Sequence, residues 1–168
     1  ILNLDATDFP ASDFAQNLFE ERVSQLQPMD VVQIFAGGSG SGKTTIQNTF
    51  EEAIASDDII LDSTSANYDL LKKRIDMVLA KDADIVLTYV YRPFNQAVQG
   101  VKERFERTGR IVTPDYLAYT HVNALENILR ISEEYRGDNR VTVEVFDNSK
   151  DRPVNITVEE LAKKRYIK

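Results

Sequence analysis

A glycine-rich stretch in the first third of the chain has the residue types and the spacing that bind phosphate. Gly37, Gly42, Lys43 and Thr44 match the pattern G-x-x-x-x-G-K-[ST]. Glycines let backbone N–H groups turn inward around an anion, and a helix N-terminus adds partial positive charge. In this pattern the lysine reaches the β- and γ-phosphates of a nucleotide, and the threonine hydroxyl binds Mg²⁺.

The surrounding sequence predicts the strand and the helix that such a loop needs. Residues 31–36 are typical of a short buried strand, and apolar side chains recur at helical spacing in residues 43–55. This context favours a nucleotide-binding loop over a chance match in a glycine-rich turn. The predicted nucleotide contacts are Gly37, Gly38, Ser39, Gly40, Ser41, Gly42, Lys43, Thr44 and Thr45, with Thr44 as the metal ligand.

Two further predicted strands end in polar or charged residues. The apolar run 58–64 carries Asp62 and Thr64 at its end, and Arg92 directly follows the β-forming run 84–91. Ligands of open α/β sheets bind at the carboxyl ends of strands, so we expect Asp62 near the loop. A cap for the next helix is the alternative for Asp62. Arg92 either holds phosphate or pairs with a carboxylate, and a purely structural ion pair is nearly as good an interpretation.

The predicted helix 94–110 becomes basic toward its end, with Lys102, Arg104, Arg107 and Arg110 among glutamates. Such a face is often only solvated surface. Its place between the third strand and the last one instead favours a lid whose arginines clamp phosphoryl oxygens.

The remaining segments complete an alternation of strands and helices. We predict helices over residues 10–27, 67–80, 116–135 and 158–168, and a strand over 141–146. Asp147 and Asn148, after that strand, are candidates for contact with the nucleotide base, and His121 is expected to be a hydrogen-bonded helix residue.

The predicted fold is α/β, in three layers, with a mostly parallel sheet of four to five strands and helices on both faces. We expect one domain over residues 1–168, with an N-terminal helix in 1–28, the core in 31–149 and a tail in 150–168.

Composition narrows the classes of partner and compartment. The 168 residues include no cysteine, which excludes disulfides and cysteine metal sites and is consistent with the cytoplasm. A net charge of −7 argues against nucleic acid or a membrane surface as partners. Guanine-specific switches are excluded because neither D-x-x-G nor N-K-x-D occurs.

Several pieces of the sequence together resemble the zeta toxin family over about residues 31–149. They are Gly38-Ser39-Gly40-Ser41-Gly42-Lys43-Thr44, Ile60-Leu61-Asp62-Ser63-Thr64, Glu103-Arg104-Phe105, and Gly109-Arg110 leading into Ile111-Val112-Thr113-Pro114-Asp115. Members of this family are kinases that transfer the γ-phosphate of ATP to UDP-N-acetylglucosamine. The resemblance implies that Lys43 and Thr44 bind phosphate and Mg²⁺. It further implies that Asp62 and Thr64 contact substrate and that Arg104 and Arg110 clamp the phosphates.

The sequence departs from the family pattern between the loop helix and Asp62. Family members have a further strand there, ending in the aspartate that acts as general base, but only 17 residues, 45–61, separate Thr44 from Asp62. The acidic-Gly-Thr element also reads Asp62-Ser63-Thr64. Either Asp62 acts as the base itself, or the substrate differs, or phosphoryl transfer is lost.

The predicted function is an ATP- and Mg²⁺-dependent phosphotransferase acting on a hydroxyl of a small molecule. The catalytic residues would be Lys43, Asp62, Arg104 and Arg110, and Asp62, Thr64 and Arg92 would bind the acceptor. The alternative is an ATP-binding module or ATPase within a larger protein. A protein antitoxin and a larger parent polypeptide are the protein partners considered.

Overall fold

A six-stranded sheet forms the centre of the computed structural model, which describes residues 2–3 and 9–166, without side-chain detail for residues 3 and 9–12. The strands run in the order β1-β3-β2-β4-β5-β6, and all neighbours are parallel except β5 and β6. Their bounds are β1 Leu2–Asn3, β2 Val31–Ala36, β3 Ile59–Asp62, β4 Asp84–Tyr91, β5 Val141–Asp147 and β6 Val154–Ile156. The predicted α/β fold with a mostly parallel sheet is confirmed. The sheet has six strands instead of the predicted four to five, and its edge strand β1 lies in the segment that was predicted to hold only a helix.

Seven helices connect these strands within the described residues. Their bounds are α1 Phe9–Ser24, α2 Lys43–Thr49, α3 Glu51–Ile54, α4 Tyr68–Leu79, α5 Phe94–Thr108, α6 Pro114–Glu134 and α7 Val158–Ala162. Two of the longer helices begin at side-chain caps: Asn67 accepts from the Leu70 N–H before α4, and Thr113 accepts from the Tyr116 N–H before α6. None of the described helices is long and apolar enough to cross a membrane.

The core lies on both faces of the sheet. The larger cluster packs α1, α4, α6 and α7 against one face and includes Phe19, Ile75 and Ile128. The smaller cluster lies under α2 on the other face, where Ile46 packs with residues such as Phe35. Because alternate side chains of a strand point to opposite faces, the buried strands are apolar almost throughout.

Three further segments differ from the sequence predictions. The helix predicted over 43–55 is interrupted at Phe50, whose ring packs at a centroid distance of 5.2 Å against Phe146. The helix predicted over 158–168 ends at Ala162, and the chain then carries Tyr166 onto the sheet, where it stacks on Tyr91. A strand, β6, lies in the predicted tail.

The segment between the loop helix and Asp62 has the shortened form that the sequence predicts. Residues 45–61 contain α2, the short α3 and the start of β3, and no further strand. Strand β3 is therefore the direct neighbour of β2, and Asp62 stands opposite Phe35 in their register. This pairing brings Asp62 to the same end of the sheet as the glycine-rich loop.

Candidate functional site

The glycine-rich loop joins β2 to α2 and forms one wall of a cavity of about 550 Å³. Neighbouring strands contribute Asp62 and Arg92 from their carboxyl ends, and α5 closes the opposite side. The cavity is lined by Ser39, Gly40, Ser41, Gly42, Lys43, Thr44, Thr45, Asp62, Arg92, Gly100, Glu103, Arg104, Arg107 and Arg110. The structure thus brings together most of the residues that the sequence predicted for the site.

Three predicted residues do not line this cavity: Gly37, Gly38 and Thr64. The Gly37 N–H donates to the Thr64 carbonyl at 3.2 Å, which ties the loop to the end of β3. The Thr64 hydroxyl accepts from the Ala66 N–H at 3.3 Å, and the residue is only 6% exposed. Thr64 therefore closes a local turn, and its contact with a substrate stays a prediction.

An ion pair joins the loop helix to the end of β3. The Lys43 Nζ lies 3.2 Å from the Asp62 Oδ1, and the two side chains are 13% and 12% exposed. The next helix is capped by Asn67, so the alternative interpretation of Asp62 as its cap does not hold. Parallel pairing of β2 and β3 places the carboxylate at the same end of the sheet as the loop, and its contact with a ligand stays a prediction.

A group of arginines on and after α5 faces this ion pair across the cavity. Burial lowers the pKa of the Arg104 guanidinium, and the charges of Arg110 and Arg107 lower it further, while Asp62 acts in the opposite direction. Arg107, one of the predicted lid arginines, also lines the cavity, although the family resemblance assigns the clamping role only to Arg104 and Arg110.

Arg92 contacts a backbone carbonyl of the loop, whereas one expectation was that it pairs with a carboxylate. Its Nη1 donates to the Gly40 carbonyl at 3.2 Å. Arg92 also borders an adjoining cavity of about 460 Å³, which shares Gly100 and Glu103 with the first and reaches Asn148. Arg92 thus supports the loop backbone at the boundary of two cavities, and its contact with a substrate stays a prediction.

The oxygen atoms at the site could bind a hard cation such as Mg²⁺ if a phosphate ligand supplied further oxygens. The Thr44 hydroxyl and the Asp62 carboxylate both line the cavity, and Mg²⁺ prefers such oxygens while retaining waters and phosphate ligands. No group of three or more histidine, cysteine or acidic side chains that could hold a metal occurs in the described part of the chain. The residues present therefore fit Mg²⁺ that arrives with a polyphosphate.

Two sets of solved structures resemble this fold. The crystal structure of the AvrRxo1-ORF1:-ORF2 complex matches with a TM-score of 0.66 and 11% identity, over 94% of this chain and 72% of that one. A structure of the same pair with ATP has a TM-score of 0.66 and 11% identity, over 87% of this chain and 66% of that one. At this identity the likeness concerns the fold.

A third structure comes from the PezAT chromosomal toxin-antitoxin system of Streptococcus pneumoniae. It has a TM-score of 0.56 and 14% identity, over 97% of this chain and 89% of that one. No curated protein sequence matches the chain. The family model described as Zeta toxin matches residues 55–156, more than half of the chain, beginning after the glycine-rich loop. The chain belongs to the zeta toxin family.

Proposed function

We propose that the chain is an ATP- and Mg²⁺-dependent phosphotransferase that transfers the γ-phosphoryl group of ATP to a hydroxyl of a small molecule. The observation that carries this proposal is the charge of the cavity at the glycine-rich loop. Five cationic side chains and two carboxylates line it, in a chain of net charge −7. Membership of the zeta toxin family supports the reaction class, and a structural neighbour solved with ATP supports the nucleotide.

Binding of ATP uses the loop and the start of α2. Backbone N–H groups of the loop and the N-terminus of α2 would surround the β- and γ-phosphates, and the Lys43 ammonium would neutralise their charge. Thr44 would hold Mg²⁺, which supplies further neutralisation of the phosphate charge. Arg104 and Arg110 would close on the γ-phosphoryl oxygens from the side of α5.

Transfer requires an acceptor hydroxyl in line with the γ-phosphorus, and Asp62 would bind that hydroxyl. The Asp62 carboxylate would accept the hydroxyl proton as the new P–O bond forms and the bond to the β-phosphate oxygen breaks, releasing ADP. The contact between Lys43 and Asp62 keeps the proton acceptor next to the lysine that holds the phosphates. In the shortened segment 45–61, Asp62 would thus act as the base itself.

The surplus of positive charge in the cavity favours an acceptor that is itself anionic. Lys43 and two arginines suffice for the triphosphate, and Arg92 and Arg107 remain for a second charged group. A nucleotide sugar carries such a diphosphate. UDP-N-acetylglucosamine, the acceptor that the family resemblance implies, is therefore the first acceptor to test.

A protein antitoxin is the second part of the proposal. Two of the structural neighbours are described as a two-protein complex and as a toxin-antitoxin system. We expect induced expression of the chain in bacteria to arrest growth and the Lys43→Ala variant to be harmless. Growth arrest by that variant would separate toxicity from phosphoryl transfer.

Transfer of label from γ-labelled ATP to a pool of nucleotide sugars tests the reaction. We expect labelled UDP-N-acetylglucosamine with the wild-type chain and Mg²⁺, and none with Lys43→Ala. Asp62→Asn should still bind ATP while transfer falls by roughly 10²-fold or more, because the proton acceptor is lost. Lys81→Ala and Asp84→Asn are matched controls, since both residues lie at the opposite end of β4.

The outcomes separate the proposal from its alternative. Full transfer by Lys43→Ala would overturn the assignment of the loop. ATP binding or hydrolysis without transfer to any acceptor would indicate an ATP-binding module or ATPase of a larger protein. Label on a different sugar nucleotide would keep the kinase and change its substrate.

A further inference from the structure

Three consecutive carbonyl groups of the glycine-rich loop each accept a hydrogen bond from a side chain of a different element. The Ser39 carbonyl is 2.7 Å from His121 Nε2 on α6. The Gly40 carbonyl accepts from Arg92 after β4 at 3.2 Å, and the Ser41 carbonyl accepts from Asn148 Nδ2 after β5 at 3.0 Å. The loop backbone is therefore fastened from three sides.

These contacts determine which way the loop N–H groups point. In a trans peptide the carbonyl of one residue and the N–H of the next point in opposite directions. Holding the Ser39 carbonyl against His121 turns the Gly40 N–H away from α6. Holding the Ser41 carbonyl against Asn148 turns the Gly42 N–H away from β5. Gly40 and Gly42 both line the cavity, so the fastened Ser39 and Ser41 carbonyls each leave an N–H group directed to an anion there. The fastened Gly40 carbonyl does not, because the Ser41 N–H that follows it donates to the Gly38 carbonyl at 3.0 Å.

Two glycines allow the fastening side chains to come this close. A Cβ on Gly38 would lie 2.5 Å from the His121 ring, and a Cβ on Gly42 would overlap the Asn148 amide. Gly42 also has φ +98°, which a side chain would oppose. Gly38 is outside the fixed positions of the phosphate-binding pattern, and its contact with His121 explains why this chain has glycine there.

The C-terminal segment holds the His121 imidazole in place. The Tyr166 ring meets the imidazole edge-on at a centroid distance of 5.8 Å, and its hydroxyl lies 3.3 Å from His121 Nδ1. The same hydroxyl donates to the Arg92 carbonyl at 2.6 Å. Because a carbonyl only accepts, His121 Nε2 carries the proton that it donates to Ser39, and the neutral Nδ1 has no proton. The one proton of the Tyr166 hydroxyl goes to the Arg92 carbonyl, so this hydroxyl fixes the Tyr166 ring and the edge-on ring contact holds the imidazole. An ion pair of Lys164 with Asp147 anchors this segment next to the sheet.

We propose that His121 and Asn148 are positioning residues for ATP, which hold the loop carbonyls outward, and that Tyr166 orients the His121 imidazole. This inference rests on the proposed binding of ATP by the loop. Neither side chain needs to touch the nucleotide, since each acts through the direction of a peptide group. The position of Asn148 after β5 had favoured contact with the nucleotide base, and His121 was expected only as a hydrogen-bonded helix residue.

Calorimetric measurement of the ATP dissociation constant tests the role of His121 with two variants of that residue. His121→Phe keeps an aromatic ring between Gly38 and Phe94 but donates no hydrogen bond. His121→Gln keeps an N–H donor near the position of Nε2. We expect ATP binding to weaken about three- to tenfold in His121→Phe, the range of one lost hydrogen bond, and to return toward wild type in His121→Gln.

Asn148→Asp is the matching variant for the third carbonyl, because it replaces the amide donor by an acceptor of the same shape. Because it also adds a negative charge that repels phosphate, Asn148→Leu, which removes the donor without a charge, is measured beside it. We expect weaker ATP binding, with Ser149→Ala as the neighbouring control. Ile128→Val, a core change on α6, is the control for lost stability: it should lower the melting temperature and leave ATP binding unchanged.

Tyr166→Phe tests the orienting role, because it removes the hydroxyl that ties the ring to the Arg92 carbonyl and so loosens the ring against the imidazole. Combined with His121→Phe it should add little, since both changes release the same carbonyl, and the coupling in a double-mutant cycle measures this. Additive effects would overturn the role of Tyr166.

The results for the wild type and the variants together separate two outcomes. If the wild type binds ATP and the affinity is unchanged in His121→Phe and Asn148→Asp, this inference is overturned and the proposed function stands. No ATP binding by the wild type would overturn the proposed function. If His121→Phe fails to fold, Tyr166→Phe and Asn148→Asp still decide the matter.

Discussion

Arg104 is a residue whose surroundings favour a ligand rather than the fold. Burial is the main cause that lowers the pKa of its guanidinium, and the charges of Arg110 and Arg107 add to it. Like charges held near one another reduce the free energy of unfolding. An anion bound in the same cavity would instead be attracted by each of these arginines. Arg104 should therefore matter for phosphoryl transfer and little for stability.

The variant Arg104→Ala separates these two effects. We expect phosphoryl transfer to fall about 100-fold or more, because a donor to the transferring oxygens is lost, while the melting temperature stays the same or rises. Arg104→Lys should not restore transfer, since an ammonium lacks the planar fork of donors. Lys102→Ala, an exposed change on the same helix, is the control. A lower melting temperature with full transfer would show Arg104 to be structural.

His121 gives a pH dependence of stability whose direction follows from its burial. Burial lowers the pKa of the imidazole below its ordinary value of 6.5; the hydrogen bond to Ser39 opposes this and the charge of Lys43 reinforces it. The folded chain then binds fewer protons than the unfolded chain, so this contribution to stability is complete above about pH 6.5 and is lost as the pH falls.

Unfolding by urea at a series of pH values measures this contribution. Between about pH 7.5 and 5.5 we expect the wild type to lose more free energy of unfolding than His121→Gln, which has no titrating group at that position. Carboxylates titrate equally in both proteins and cancel in the comparison. Parallel curves for the two proteins would mean that His121 does not titrate differently on folding.

At the scale of elements, the four inner strands were the part of the fold that the sequence predicted best, whereas the edge strands β1 and β6 were not predicted. The bounds of β2 and β4 agree with the apolar runs 31–36 and 84–91, because a strand buried on both faces needs an unbroken run of β-forming residues. The break at Phe50 was not predicted, and the residue that its ring contacts, Phe146, is almost a hundred positions away. The contact of His121 with Ser39 could not be predicted from local spacing for the same reason, because the two residues are far apart in the sequence.

The interruption between α2 and α3 is expected to depend on the Phe50 ring. Phe50 is 37% exposed and packs against Phe146 beside the smaller core cluster. Phe50→Ala should lower the free energy of unfolding by about 1 kcal/mol, from lost burial and a lost ring pair. Phe14→Ala, which changes a side chain that is 68% exposed, should have a smaller effect in the same urea titration. Equal effects would mean that the ring pair adds nothing.

At the scale of the whole molecule, charge is divided between a basic cavity and an acidic remainder. The chain has a net charge of −7, although five of its cationic side chains line one cavity. An approaching nucleotide is repelled at long range and attracted within the cavity. Salt screens charges over a Debye length of about 10 Å at 0.1 M, so it weakens both effects, and their balance decides the sign of the salt dependence of binding.

We expect attraction within the cavity to dominate, because the phosphates would lie in contact with Lys43 and the arginines while the acidic groups are spread over the surface. The ATP dissociation constant should therefore rise several-fold between about 0.05 M and 0.5 M salt. Arg107→Ala should reduce this slope. Arg136→Ala should not, since Arg136 does not line the cavity and already pairs with Glu133. Tighter binding at high salt would mean instead that repulsion by the net charge governs access to the site, and the acidic surface would then regulate nucleotide entry.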